Sequence, residues 1–280
     1  MHHEIIRGHC IFFNYQTANF KKSTLRNYKS LLDNFINHIG NIEIIAITTD
    51  EVLNFLNKIT EGTKQSTKRL RYTLLSAFFN FIRNSVDPEF HNPCNNPILR
   101  KLFRQGKPIQ WKILEKEVVD EMIFRTQNLR NRLMLELMAR GGMRVGEVLK
   151  IKPQDLNDRK IIIRDPKSGR DQEIVFIPLK LAARLKGYVQ NNGIEHDQRI
   201  FPLSYPAARM IVKKAGDLVG INLCPHDLRR HAATYASRSG TPLEIISKVI
   251  LRHSNLSTTQ LYLGKVSDLE AIRWIDTLHG

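Results

Sequence analysis

Four stretches in the second half of this 280-residue chain hold polar side chains where a core helix would not need them. They are Gly142-Met143-Arg144-Val145-Gly146-Glu147, a turn at Lys167, Pro225-His226-Asp227-Leu228-Arg229-Arg230-His231, and Leu251-Arg252-His253-Ser254 followed by Thr258-Thr259-Gln260-Leu261-Tyr262. Together these residue types suit attack on a phosphate ester. A phenol titrates near 10, so a tyrosine such as Tyr262 becomes a nucleophile only where cations favour its phenolate or the transition state. A tyrosine alone more commonly packs in a core, so its company decides the reading. Arginines such as Arg144 and Arg229 stay charged, bind phosphate oxygens in pairs, and offset the charge that builds up in an in-line transition state. A leaving alkoxide needs a proton, which Lys167 could supply from a hairpin turn. His226 and Arg229, three apart at a helix start, share one face at an end that favours anions; read alone, the same pair also fits an ordinary exposed helix start. Cys224, His226, His231 and His253 are conceivable metal ligands, but no pair has a zinc-module spacing and Arg229 and Arg230 would repel a cation, so no metal is expected.

The elements around these stretches are mostly helical. Residues Glu115 to Met122 and Leu129 to Arg140 read as helices, Gly141-Gly142 breaks the second, and Arg144 to Leu149 restarts a short one. Lys160-Ile161-Ile162-Ile163 and Glu173-Ile174-Val175-Phe176-Ile177 flank Asp165-Pro166-Lys167-Ser168-Gly169 as a β-hairpin. Helices resume near Leu179 and Pro206, and a helix from Pro225 should bury Leu228, Ala232 and Tyr235. Thr241 to Glu244, Ser257 to Gln260 and Ser267 to Glu270 fit capping boxes. The last box opens a helix over 267–279 with Leu269, Ile272, Trp274, Ile275 and Leu278, too short to be stable without docking on something.

The first half is all helix. Ser23 or Thr24 should cap a helix with Leu25, Tyr28, Leu32, Phe35 and Ile39 that ends at Gly40, leaving some 20 residues ahead of it. Thr48 and Glu51 form a capping box ahead of Val52, Phe55, Leu56 and Ile59, and a third helix from about Ser66 turns Leu70, Leu74, Phe78 and Phe81 inward. Its start carries Lys64, Lys68, Arg69 and Arg71 with no acidic residue before Arg83, which favours phosphate contact over a merely solvated face. Pro88, Pro93, Pro97 and Gly106-Lys107-Pro108 then punctuate the chain. The fold class is therefore mainly α: a helical domain over 1–105, a linker over 106–111, and a mostly α domain over 112–280 with one small antiparallel β-sheet.

Composition narrows the partner. The formal net charge is +16, divided as +6 over residues 1–105 and +10 over the rest, so the excess is no basic tail on a neutral enzyme. Both halves look built to meet one polyanion, a nucleic acid before a membrane surface. A hydrophobic content of 42% supports real cores, and no apolar run reaches the roughly 18–20 residues of a membrane helix. Cys10, Cys94 and Cys224 form no CxxC pair and no disulfide framework, and no signal peptide is visible, which fits a cytoplasmic, DNA-associated protein.

In order and in local wording, the chain resembles the tyrosine recombinase, or phage integrase, family. The order Arg, Lys, His-x-x-Arg, His, Tyr is met by Arg144, Lys167, His226 with Arg229, His253 and Tyr262. The words Gly-Met-Arg-Val-Gly-Glu-Val-Leu, His-Asp-Leu-Arg-Arg-His-Ala-Ala-Thr and Leu-Arg-His-Ser-Asn-Leu-Ser-Thr-Thr-Gln-Leu-Tyr match as well. The resemblance implies that residues 1–105 are a core-binding domain, the two domains clamping duplex DNA at a specific core site. It implies a site-specific recombinase in which Tyr262 forms a 3′-phosphotyrosyl link, Arg144 and Arg229 hold the scissile phosphate, His253 hydrogen-bonds it, His226 moves the nucleophile's proton, and Lys167 protonates the 5′ oxygen. Glu147, one helical turn after Arg144, would support that site. Neither cofactor nor metal is needed, since bond energy is conserved. The implied assembly is a homotetramer on synapsed DNA, exchanging strands through a four-way junction, and a monomer or weak oligomer when free. The final helix would dock on a neighbouring protomer, and with no room for an arm-binding domain the chain looks most like Xer-type recombinases of bacteria or archaea.

Some positions depart from the pattern. The usual Leu-Gly-His is Leu-Arg-His, so Arg252 adds a charge, either a further DNA phosphate contact or a solvated side chain. Arg230 points about 100° away from Arg229 and is no second copy of it, while Arg170 shares the turn of Lys167 and competes for its role. A type IB topoisomerase and a non-catalytic DNA-binding regulator on the same fold remain alternatives, and accessory proteins are left open. The charge distribution makes one expectation concrete: the logarithm of DNA affinity, measured by fluorescence anisotropy, should fall steeply and linearly with the logarithm of salt concentration. Substituting Arg144 or Arg229 should depress cleavage far more than affinity.

Overall fold

Of the thirteen phenylalanines in the chain, ten lie in or against one core of the first unit. The computed structural model describes residues 5–106, 113–166, 171–263, 272 and 275–277, and the chain divides into two units, Met1–Ile109 and Gln110–Gly280.

Among the described residues the first unit holds five α-helices, α1 (Ile5–Gln16), α2 (Lys22–Ile39), α3 (Thr49–Ile59), α4 (Gln65–Ser85) and α5 (Pro97–Leu102), with a short 3-10 turn over Ile44–Ala46. Phe12 sits at its centre, with Tyr28, Phe78 and Phe81 within 5.5 Å of it, ring centre to ring centre. The sequence reading placed the first helix after residue 20, but α1 already occupies residues 5–16. Its signal is Ile5, Gly8 and Phe12 on one helical face. Gly8 lets that face press close: a Cβ there would stand 2.7 Å from Ile44 Cδ1 and 3.0 Å from Ile82 Cδ1. Helix α2 starts at Lys22 after an extended Lys21, so Ser23 and Thr24 lie inside its first turn and cap nothing. The Thr48 box is present as expected, with Thr48 Oγ1 accepting the Glu51 N–H at 3.3 Å and Glu51 Oε2 accepting the Thr48 N–H at 2.8 Å. On α4 the buried set is Leu74, Leu75, Phe78, Phe79 and Ile82. Leu70 is half exposed, because the core covers only the later turns of that helix.

The second unit holds α6 (Lys116–Arg125), α7 (Leu129–Arg140), α8 (Val145–Val148), β1 (Leu156–Asn157), β2 (Lys160–Arg164), β3 (Gln172–Phe176), α9 (Leu179–Asn191), α10 (Tyr205–Asp217), α11 (Pro225–Arg238) and α12 (Leu256–Leu263). Helix α7 is buried along its whole second half, Leu133 to Ala139, and packs on α9 and α11. The sheet is antiparallel in the order β1-β2-β3, with Ile161 opposite Val175 and Ile163 opposite Glu173. Strand alternation buries Ile161, Ile163, Val175 and, with them, the carboxylate of Glu173. Strand β1 is only two residues long, too short for a sequence pattern to reveal.

Two stretches near the C-terminus fold differently from the expectation. Residues Ile245–Ile250, just after the Thr241–Glu244 stretch read as a capping box, form a π-helix whose N-cap is Glu244, the Leu251 N–H reaching the Ile246 carbonyl at 2.8 Å. Helix α12 begins at Leu256, ahead of Ser257, and its start is capped by Asn255 Oδ1 accepting the Ser257 N–H at 2.9 Å. Of the final helix, Ile272 and Ile275 are described and are exposed, while Ser267, Leu269, Trp274 and Leu278 lie outside the described residues. No helix among the described residues is long and apolar enough to cross a membrane.

Replacing Phe78 by alanine removes a fully buried ring from the aromatic cluster and should lower stability by about 3–5 kcal/mol. Urea unfolding of the full chain, followed by the transition of the first unit, measures it.

Candidate active site

The break after α7 and the short α8 bring Arg144 to the mouth of the site. Arg144 is the N-cap residue of α8, and Glu147 holds it twice: Oε2 accepts its backbone N–H at 2.9 Å and Oε1 accepts Nη1 at 2.6 Å. The Arg144 side chain keeps 23% of its surface open, whereas Glu147 is buried. Burial alone would push the Glu147 carboxyl up, but Arg252 and the hydrogen bonds and charge of Arg144 outweigh it and hold Glu147 below its usual range.

Arg229, on the first turns of α11, is 1% exposed. Its Nη1 donates to the Gly142 carbonyl and its Nη2 to the Leu251 carbonyl. These neutral acceptors aim the guanidinium and leave its charge in place. Gly142 has φ +60°, and a Cβ there would stand 2.8 Å from the Ile250 carbonyl oxygen, so only glycine lets the chain present that acceptor. The π-helix supplies the other carbonyl, at Leu251, and sets the next two residues.

His253 follows. Its N–H reaches the Ser247 carbonyl at 2.9 Å, and its Nδ1 pairs with Thr259 Oγ1 at 3.0 Å. Thr259 Oγ1 pairs in turn with Ser247 Oγ at 2.8 Å, and both hydroxyl residues are buried. Burial pushes the His253 ring down, and the charges of Arg229, Arg144 and Arg252 push it further, to about 4, so the ring is neutral at physiological pH. Thr259 stands on α12 three residues before Tyr262, so this chain of hydroxyls ties the ring to the helix that bears the tyrosine. The side chain of Tyr262 is not among the described atoms; its backbone lies in the second turn of α12, which packs on α11 and the π-helix. His226 is exposed on the first turn of α11.

Arg144, Arg229 and His253 are thus brought together, with Glu147 behind Arg144. Lys167 and Arg170 lie outside the described residues. Arg252 corrects the expectation: it is neither solvated nor turned to a DNA phosphate, but 4% exposed, with Nη2 on Glu147 Oε2 at 2.7 Å and Nε on Glu173 Oε2 at 3.2 Å. Tyr235 was expected inside and is 45% exposed, because α11 is covered along Leu228, Ala232 and Ala233 and Tyr235 falls beyond that face. Arg230 donates to Asp227 Oδ1 at 2.7 Å, and His231 donates from Nδ1 to the Leu114 carbonyl at 2.9 Å. Lys64 and Arg69 are exposed and Lys68 and Arg71 half-buried at the start of α4 in the first unit. Sequence reasoning passed over Ser247, Thr259 and Glu173. Only Glu173 carried a readable signal, a carboxylate at the inward parity of a β-branched strand.

Residues 112–267 match the phage integrase family, and residues 11–60 match the phage integrase N-terminal SAM-like domain. The chain belongs to the phage integrase family of tyrosine recombinases. It is 30% identical over 276 residues to the tyrosine recombinase XerA of Pyrococcus horikoshii, spanning 92% of this chain and 90% of that one. In fold it is similar to the Tn1549 transposon integrase in complex with transposon right end DNA, with a TM-score of 0.77 at 14% identity over 99% of this chain and 100% of that one. It is also similar to a lambda integrase tetramer bound to a Holliday junction, with a TM-score of 0.73 at 17% identity over 95% of this chain and 80% of that one.

The charges make stability depend on acid. His253 titrates near 4 when folded against an ordinary 6.5, so between those values the unfolded chain binds a proton that the folded chain excludes, and stability falls as pH drops through that window. Glu147 acts in the same sense lower down, since its stabilisation is present above its ordinary 4.5 and is lost as pH falls through its lowered value. Urea midpoints should therefore decline from about pH 6.5 to pH 4. His253→Gln should flatten the upper part of that decline.

Proposed function

We propose that this protein is a site-specific DNA recombinase that cuts and rejoins strands through a 3′-phosphotyrosyl intermediate. The observation that carries the reading is the convergence of three guanidinium groups, Arg144, Arg229 and Arg252, on His253, whose ring is held neutral by burial first and by these charges in addition. A site of that polarity suits a phosphodiester. Arg144, partly open to solvent, and Arg229, aimed by two carbonyls, would hold the two non-bridging oxygens. His253 adds a hydrogen bond through Nε2, its Nδ1 being engaged by Thr259; hydroxyl rotors follow the tautomer, Thr259 donating to Nδ1 and Ser247 to Thr259.

In the reaction the Tyr262 oxygen bonds to phosphorus as the bond from phosphorus to the 5′ oxygen breaks. His226 takes the phenolic proton, and Lys167 gives a proton to the departing 5′ oxygen. The number of ester bonds is unchanged, so a 5′-hydroxyl from a partner strand can reverse the step on a new strand without an external energy source. The pre-placed cations supply most of the acceleration, because they meet charge where it develops without reorganising. The partner is double-stranded DNA at a specific core site, and the working assembly a homotetramer on synapsed DNA. The resemblance in fold to a tetramer on a Holliday junction supports that assembly.

Capture of covalent protein–DNA adducts identifies the site, and a nicked duplex bearing that site then traps the intermediate. Wild-type protein should accumulate the adduct and Tyr262→Phe should form none. Absence of any adduct with wild-type protein would overturn the proposal.

A further inference from the structure

Arg252 occupies a place that ordinary packing does not explain. Its backbone is left-handed, with φ +52°, a conformation unfavourable for any residue with a Cβ and suited to glycine. Its charged side chain is 3% exposed, and burying a charge is costly unless it is paired. The pairing is thorough. Three different guanidinium nitrogens meet three different elements: Nη2 meets Glu147 on α8 at 2.7 Å, Nε meets Glu173 on β3 at 3.2 Å, and Nη1 meets the Ile250 carbonyl of the π-helix at 2.8 Å. Both carboxylates are themselves buried.

We propose that Arg252 is a positioning residue for Arg144, clamping α8 to strand β3 through Glu147 and Glu173. Resting on the function proposed above, this adds to that site a residue which touches neither DNA nor the nucleophile. The Oε2 of Glu147 is shared between the Arg144 N–H and Arg252 Nη2, while Oε1 holds Arg144 Nη1. Arg252 therefore fixes the carboxylate that fixes the phosphate-holding arginine. It also draws Glu147 toward itself. Without Arg252, Glu147 would lose its second guanidinium and bear on Arg144 alone, drawing Arg144 toward itself and off the phosphate. Glu173 anchors the other end of the clamp to the sheet, whose strand β3 packs on the π-helix. The unfavourable backbone is kept because only a long, planar, three-way donor at this point joins the three elements.

The test uses the full chain, the nicked duplex bearing the captured site, and three variants: Arg252→Gly, Arg252→Lys and Glu173→Gln. Glycine fits the left-handed backbone, so a loss seen there belongs to the side chain. The expected result for Arg252→Gly is DNA affinity within about twofold of wild type, with single-turnover adduct formation at saturating DNA slowed at least about tenfold. Lysine restores the charge without the fork and should recover part of that rate. Where Arg252→Gly does not fold by circular dichroism, Glu173→Gln carries the test; it keeps the pair with Glu147, reduces the ion pair on β3 to at most a neutral hydrogen bond, and should slow adduct formation several-fold at unchanged affinity. Wild-type rates in whichever of these variants folds overturn the proposal.

A second readout does not depend on cleavage. The His253 ring faces Arg144, Arg229, Arg252 and the Thr259 hydroxyl, and its titration by NMR should rise from about 4 in Arg252→Gly. If wild-type protein forms no adduct, the recombinase reading fails while this titration still tests the clamp, and an unmoved His253 value overturns it.

Discussion

Guanidinium groups repel one another, yet the second unit sets Arg144, Arg229 and Arg252 around a single buried imidazole. Much of the local architecture answers that repulsion. Glu147 is split between Arg144 and Arg252, Glu173 takes the far side of Arg252, and the carbonyls of Gly142 and Leu251 take two nitrogens of Arg229. Each solution places a demand on the chain. The carbonyl of Gly142 is presented by a left-handed glycine pressed against Ile250, that of Leu251 by a π-helix, and Glu147 by a helix of one turn. Irregular backbone is concentrated here because regular helices and strands leave no carbonyls spare to meet an arginine.

This constraint orders the rest of the second unit. Helix α7 is buried along its second half and delivers the break at Gly141 and Gly142 from a rigid base. Helix α11, packed on α7, carries Arg229, with Leu228 and Ala233 buried on the same helix. The sheet contributes through one residue, Glu173, whose inward parity is set by pairing Ile163 against it. The hydroxyl pair Ser247 and Thr259 then joins the π-helix to α12, so the helix with the tyrosine is tied to the same cluster as the arginines.

What the sequence reveals follows the range of the interactions. The Thr48 box, the ends of α7 and the hairpin strands were readable because each depends on residues a few positions apart. Arg144, Arg229 and His253, which the structure brings together, stood out by residue type and local wording. Helix α1 was legible in principle through Ile5, Gly8 and Phe12, but a glycine on the packed face weakens the pattern that marks a helix. Arg252 was misplaced because its partners, Glu147 and Glu173, lie 105 and 79 residues away and no local pattern announces them. The π-helix was missed for a related reason: its wider turn serves the carbonyl at Leu251, a requirement set by Arg229 in another element. Tyr235 illustrates the same limit, since spacing defines a helical face but not how much of that face a neighbour covers.

The net charge of +16 can now be located. Among the described residues the buried charged side chains are Glu136, Glu147, Asp155, Glu173, Arg229, Arg230 and Arg252, four acids against three arginines. The interior therefore carries none of the positive excess, which belongs to the surface of both units. That division separates two tasks physically. Under the proposed function, surface cations such as Lys64 and Arg69 would act through a screened, long-range field that any stretch of DNA backbone satisfies. The buried cluster acts at contact distance, in a low-dielectric setting that salt barely reaches, and each of its charges is fixed by a named partner. On the proposed function, affinity for the polyanion and stabilisation of the reacting phosphorus centre would thus rest on different residues, and either could be tuned with little change in the other.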